Sequence, residues 1–178
     1  ALAWPGAGGE FAVRFTPGKY PATLNGVQMT LNSTSSGTKT WGVDVYEDNG
    51  GGEPGAQICS LNTSTTIGTS GTFLVTVDLS TCDSGSAYTV NSGDFYIAFR
   101  QVDANDPRMI LETNAPVANR SFNFNGATWS LQTDRDYHIA ALIDEPATNQ
   151  DRVNNVVGID LAAPATGTYT LTVSGYNV

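Results

Sequence analysis

Gly93-Asp-Phe-Tyr-Ile-Ala-Phe-Arg100 is the stretch on which the fold turns. Phe95, Ile97 and Phe99 face one way, and Tyr96, Ala98 and Arg100 face the other. A side-chain period of two, carried by aromatic and β-branched residues, belongs to a strand and not to a helix. This segment reads as a central strand, and the same period recurs on both sides of it. Upstream lie Phe11, Val13 and Phe15, and then Leu24, Val27, Met29 and Leu31 with Gly26 at a bulge. Trp41, Val43 and Val45 follow, with Asp44 and Tyr46 on their opposite face. Next come a short strand Gln57–Leu61, the alternating Phe73, Val75, Val77 and Leu79, and the brief Tyr88–Val90. Downstream lie Met109–Glu112, Ser121–Asn125, Thr128–Leu131 and Tyr137–Ile143.

Turn chemistry separates these runs. Pro17-Gly18, the polar loop Asn32–Thr38, the glycine-rich Glu47–Gly55 and Asn91–Asp94 each interrupt the period. No segment has the spacing of a three-turn amphipathic helix. Short strands about ten residues apart predict an all-β fold, an antiparallel β-sandwich or jelly roll, with an appended C-terminal two-strand segment. The expected boundaries are an N-terminal arm over 1–10, the sandwich over 11–144, a linker over 145–152 and a C-terminal strand pair over 153–178. In the last part Val156–Leu161 and Thr168–Val173 are the strands. Tyr169, Leu171 and Val173 alternate there with Thr168, Thr170, Thr172 and Ser174. Some twenty residues cannot bury a core of their own. This tail must lean on the sandwich or on a partner subunit.

Charged residues are 14 % of the chain, against about 25 % in ordinary soluble domains. Gly, Ser, Thr and Asn take their place, a mixture suited to a secreted all-β protein with many turns. A net charge of −9 argues against nucleic acid as a partner. No apolar run has the length of a membrane span. The start, Ala-Leu-Ala-Trp-Pro, lacks the basic and apolar regions of a signal peptide, so the chain is expected to be a mature secreted one. In that compartment Cys59 and Cys82 are expected to form a disulfide.

Catalytic sets are hard to assemble from these residues. The sole histidine, His138, sits in Asp136-Tyr-His-Ile-Ala140, and Gly68-Thr-Ser-Gly71 lacks the spacing of a nucleophile elbow. One histidine and two paired cysteines do not make a zinc site. No enzyme activity is expected. Calcium is the metal the composition favours, because oxygen-rich loops suit it. Glu47, Asp48, Asn49 and Glu53 in one loop, and Asp103, Asn105 and Asp106 in another, are the candidate ligands, the two loops ranking equally; neither has EF-hand spacing, and the alternative is a solvated acidic turn. Carbohydrate is a further candidate partner, through Tyr46, Tyr96, Trp129 and Tyr137, although Trp41 and Trp129 fit a core better. Asn32, Asn62 and Asn119 head N-glycosylation triplets.

Two segments carry resemblances. Ala12-Val-Arg-Phe15, Tyr20-Pro21, Val43-Asp-Val-Tyr46, Gly55, Val77-Asp-Leu79, Gly93–Ala98 and Trp129 resemble a jelly-roll module of secreted bacterial surface proteins, also found beside secreted peptidases. Asn154-Asn-Val156, Pro164, Gly167-Thr-Tyr169, Val173, Gly175 and Asn177-Val178 resemble the end of the C-terminal β-domain of secreted subtilisin-like proteases. In that family one more apolar strand follows, so this resemblance implies a sheet one strand short. The protease catalytic domain has no counterpart here, and no catalytic residue carries over.

A tail one strand short and a glycine-rich arm point to strand exchange between copies of the chain, with Leu2, Trp4, Tyr169, Leu171, Val173 and Tyr176 as the contact residues. The function expected from the sequence is a non-catalytic extracellular structural subunit that polymerises into a filament or tube. The alternative is an accessory or adhesive module of a secreted protease or surface protein.

Overall fold

The period of two becomes thirteen antiparallel strands, and no helix occurs among the described residues. The computed structural model describes residues 1–114 and 118–146. In chain order the strands are β1 (Glu10–Phe15), β2 (Ala22–Ser33), β3 (Gly37–Asp48), β4 (Pro54–Ile67), β5 (Gly71–Asp78), β6 (Tyr88–Val90) and β7 (Phe95–Gln101). They continue with β8 (Arg108–Met109), β9 (Leu111–Glu112), β10 (Ser121–Phe124), β11 (Trp129–Gln132), β12 (Asp136–Tyr137) and β13 (Ile139–Asp144).

Two sheets face each other across one apolar layer. The first has the order β11-β10-β1-β7-β3-β4. The second is built on β2, which is twelve residues long and carries β13 and β8 along one side and β5 and β6 along the other. A two-stranded piece, β9 with β12, completes the set. The interior faces meet through Phe11, Trp41, Val43, Val45, Phe95, Ile97 and Phe99 from the first sheet. Leu24, Val27, Met29, Leu31 and Val75 answer them from the second. At roughly 1.5–3 kcal/mol per fully buried large apolar side chain, this layer is the main source of stability.

The bulge expected near Gly26 is present. Gly26 pairs with Leu142 and Leu24 with Ile143, so Asn25 is the extra residue and the inward parity shifts from Leu24 to Val27. The disulfide is present as well. Cys59 on β4 and Cys82 after β5 are joined over a separation of 23 residues, which ties together the strands that end each sheet.

Two boundaries differ from expectation. The short strand expected at Gln57–Leu61 is part of β4, fourteen residues long. The polar loop Asn32–Thr38 shrinks to three residues, because β2 runs to Ser33 and β3 opens at Gly37. The N-terminal arm over residues 1–10 lies against the sandwich. Leu2 exchanges two backbone hydrogen bonds of 2.8 Å with Met109, and Trp4 lies 5.8 Å from Phe11 in a stacked pair. Trp4 fits there because Gly9 lacks a side chain: a Cβ at Gly9 would lie 2.2 Å from the indole. Backbone pairing and a half-buried ring hold this segment against its own sandwich.

By its contacts the chain divides into two units, Ala1–Pro146 and Ala147–Val178. The second carries Val156–Leu161, Thr168–Val173 and the residues Tyr169, Leu171, Val173 and Tyr176, and it lies outside the described residues.

Candidate functional site

The two central strands of the first sheet are buried on both faces. Tyr96 and Ala98 on β7, Ala12 on β1 and Phe122 on β10 form a second apolar cluster on the outer face, with Tyr46 of β3 and, partly buried, Trp129 of β11. In a flat sheet β11 and β3 would stand about 19 Å apart, four strand spacings of about 4.8 Å. Here the Trp129 and Tyr46 ring centroids are 5.4 Å apart, and those of Phe122 and Tyr96 are 5.5 Å apart. The sheet therefore curls, and the β10–β11 hairpin folds back over its outer face. The small residues Ala12 and Ala98, paired across β1 and β7, leave room beneath it.

Polar groups fill the open side of this second core. Glu10 lies opposite Arg100 across β1 and β7, and its carboxylate accepts hydrogen bonds of 2.9 and 2.8 Å from the Tyr46 hydroxyl. Glu10 is 4 % exposed and Asp44 1 %. Arg100 donates from Nε to Asp44 at 2.7 Å and from Nη2 to Ser60 and Asn62 at 3.1 and 2.9 Å. Its guanidinium lies flat on Gly42, where a Cβ would come within 2.5 Å. The second oxygen of Asp44, Oδ1, is buried with no hydrogen-bond partner. Burial pushes the Glu10 carboxyl up to about 7, and the charge of Asp44 adds to the rise. Burial, with the charge of Glu10 beside it, also raises Tyr46, which stays a neutral donor. Near neutral pH a large share of Glu10 is thus protonated, which places an O–H beside a carboxylate held by Arg100.

A different feature marks the rim of the same sheet. Among the described residues β4 pairs with β3 alone, so its other side is an open edge. From Gly55 to Val77, through β4 and into β5, there is no charged residue and no proline. Native sheets commonly protect an edge with lysine, proline, a bulge or a short strand. Bulges interrupt β4 near Tyr46 and Asp48, but from Cys59 to Ile67 its register with β3 is regular.

The two acidic loops do not converge. Asp48 accepts from the Gly50 amide at 2.6 Å and from the Tyr96 hydroxyl at 2.7 Å, and Asn49 Oδ1 accepts from the Gly51 amide at 2.7 Å. Burial alone would raise Asp48, but these bonds hold it below the usual carboxylate range. Asp106 contacts Lys39 at 2.7 Å and accepts from Ser33 at 3.0 Å; these groups outweigh burial and lower it. Asp103 contributes its carbonyl to Gln101, and Asn105 its carbonyl to Arg108. Glu47 and Glu53 are exposed. Among the described residues no group of three or more His, Cys, Asp or Glu side chains is placed to hold a metal ion.

Of the aromatic candidates, Tyr46, Tyr96 and Trp129 share the outer face, whereas Tyr137 packs on Phe11 in the main core. Trp41 is a core residue, 1 % exposed. His138 is exposed and contributes its backbone between β2 and β8–β9. Asn62 and Asn119 are exposed and Asn32 is half-buried. Sequence reasoning passed over Glu10, which follows Gly9 and sits where the glycine-rich arm meets the first strand. The available signal was its parity with Ala12 and Arg14, which places it on the face of Tyr46 and Tyr96. Comparison with family models, with curated proteins and with solved structures returned no match.

Proposed function

We propose that the protein is a non-catalytic structural subunit that assembles outside the cell with copies of itself by β-strand addition, and that β4 is the accepting edge. One observation carries this reading: the side of β4 left open among the described residues, with a regular, charge-free and proline-free run from Cys59 to Ile67. Such an edge presents unpaired N–H and C=O groups to any strand that meets it. Addition at an edge is head-to-tail, so it propagates into rings or open filaments. The Cys59–Cys82 bridge supports an oxidising compartment and fixes the accepting strand to the opposite sheet.

The test is light scattering and negative-stain microscopy of the purified chain beside a Ser64→Lys/Thr66→Lys variant. Both side chains are exposed on β4, so the substitutions charge the edge without entering the core. Wild type forms ordered high-mass assemblies, and the variant stays near 18.7 kDa with an unchanged melting temperature. A wild-type protein that remains at 18.7 kDa across the concentration range refutes the reading.

The outer face favours a second reading, an accessory module that binds carbohydrate. Trp129 is half-buried beside Tyr46, and Gln57, Ser60 and Asn62 are exposed along the same face. Titration calorimetry with oligosaccharides, repeated on Trp129→Ala, decides it: saturable heat that the substitution abolishes would support the module.

A further inference from the structure

We infer that the strand added to β4 is the C-terminal stretch Thr168–Ser174 of a second copy, seated with its hydroxyl row on the hydroxyl row of β4. This deepens the assembly reading above and rests on it. On β4 the side chains Ser60, Asn62, Ser64 and Thr66 are exposed, while Leu61, Thr63, Thr65 and Ile67 are half-buried, with Leu61 packed against the core. The C-terminal stretch has a like alternation in sequence, with a fully apolar second row where β4 has Thr63 and Thr65 between Leu61 and Ile67. Thr168, Thr170, Thr172 and Ser174 form one row, and Tyr169, Leu171 and Val173 the other. One register parity places hydroxyls beside hydroxyls on the outer face and carries Tyr169, Leu171 and Val173 over the core margin. The other parity exposes all three apolar side chains, because a one-residue slip reverses every side chain.

Length and charge agree with this assignment. The regular part of β4, Cys59–Ile67, spans about 27 Å, and a seven-residue strand spans about 20 Å. No charge occurs from Leu161 to Val178, nor from Gly55 to Val77, so pairing buries no unmatched ion. The remaining edges offer less. β5 is free of charge from Gly71 to Val77 but already exposes Leu74 on its outer row, β13 ends in Asp144, and β11 is four residues long. The other terminus is not spare, since Leu2 is bonded to Met109 and Trp4 is packed on Phe11.

The experiment uses full-length chains, each with one added thiol. The described cysteines are already joined, so no free thiol competes. A Ser64→Cys chain is mixed under mild oxidation with chains bearing Thr168→Cys, Thr170→Cys or Thr172→Cys, and separately with Tyr169→Cys or Leu171→Cys. A disulfide-linked heterodimer with at least one threonine-row variant, at least tenfold more abundant than with either apolar-row variant, is the expected result. Light scattering on the same mixtures separates the two ways to fail. Assemblies that form without this crosslink, or crosslink equally to both rows, overturn the assigned strand and leave the assembly reading standing. Mixtures that remain single chains overturn both.

Discussion

Replacing Glu10 by glutamine tests the buried outer-face cluster through its pH dependence. In the unfolded chain this carboxyl titrates near 4.5, and in the folded protein near 7. Between these values the folded state holds the proton that the unfolded state has lost, so stability falls as pH rises from about 4.5 to about 7 and is level above. From 4.5 to about 7, at about 1.4 kcal/mol per pH unit, the loss is about 3–3.5 kcal/mol. Glutamine has the same shape, carries no charge, can accept from the Tyr46 hydroxyl, and can offer an N–H toward the unpartnered Asp44 oxygen. At pH 5 the variant and wild type should melt within a degree or two of each other. At pH 8 the variant should be more stable by about 3 kcal/mol, roughly 6–12 °C for a chain of this size. The assay is calorimetry or circular dichroism at both pH values and constant ionic strength. Asp48 and Asp106 act in the opposite direction, since their depressed carboxyls add stability that is lost only as the pH falls below the usual carboxylate range. They are common to both proteins and cancel in the difference. A difference between wild type and variant that does not change between pH 5 and pH 8 refutes the reasoning.

Arg100→Ala leaves Asp44 buried without its cation. Losing one partner of a buried pair costs about 3–5 kcal/mol, and the 22 % exposure of the Arg100 side chain puts the expected value near the lower end. Asp44→Asn in the Arg100→Ala background should recover more than half of that loss in a denaturant titration. Gly42→Ala drives a methyl group into the Arg100 guanidinium, and should cost about 1–3 kcal/mol by thermal melt. Replacing Cys59 and Cys82 together by serine opens a loop whose closure is worth about 3 kcal/mol; the same melt under non-reducing conditions should record that loss. Because the Asp48, Asn49 and Asp106 side chains are already engaged within the protein, a chelator should leave the melting temperature unchanged. A calcium-dependent rise of more than about 3 °C would contradict this.

The features legible in the sequence are those in which burial writes a pattern. β7, β5 and β1 alternate because one face of each meets the core, and the step from Leu24 to Val27 records the bulge at Asn25. β4 is different. Between Asn62 and Thr66 neither face is deeply buried, so no apolar period appears and the expected strand stops at Leu61 until its partner β3 is seen. The outer-face core is hidden for another reason. Tyr96, Ala98, Ala12 and Arg100 have the composition of a solvent face, and only the curl of the sheet, which brings Trp129 over Tyr46, turns that face into an interior. A single sequence contains the side chains of that cluster but not the curvature that gathers them. Glu10 and Asp44 are far apart in the chain, and nothing local marks either as buried.

The open edge and the closed outer face fit one economy of strand protection. On the side of β10 and β11 the sheet curls over, and its last strand is four residues long and covered in part by its own aromatic contacts. That arrangement shortens the exposed rim and spends a tryptophan and two phenylalanines on it. Among the described residues no such device appears on the side of β4 over Cys59–Ile67, although a lysine at Ser64 or Thr66 would disturb no buried contact. An edge of that length is a hazard to a chain that must stay single, because identical molecules meet it at every encounter. It is an asset to a chain that must join others. The asymmetry between the two rims of one sheet is therefore the strongest physical ground for reading β4 as an interface, and charging that edge is the perturbation to which the interpretation is most exposed.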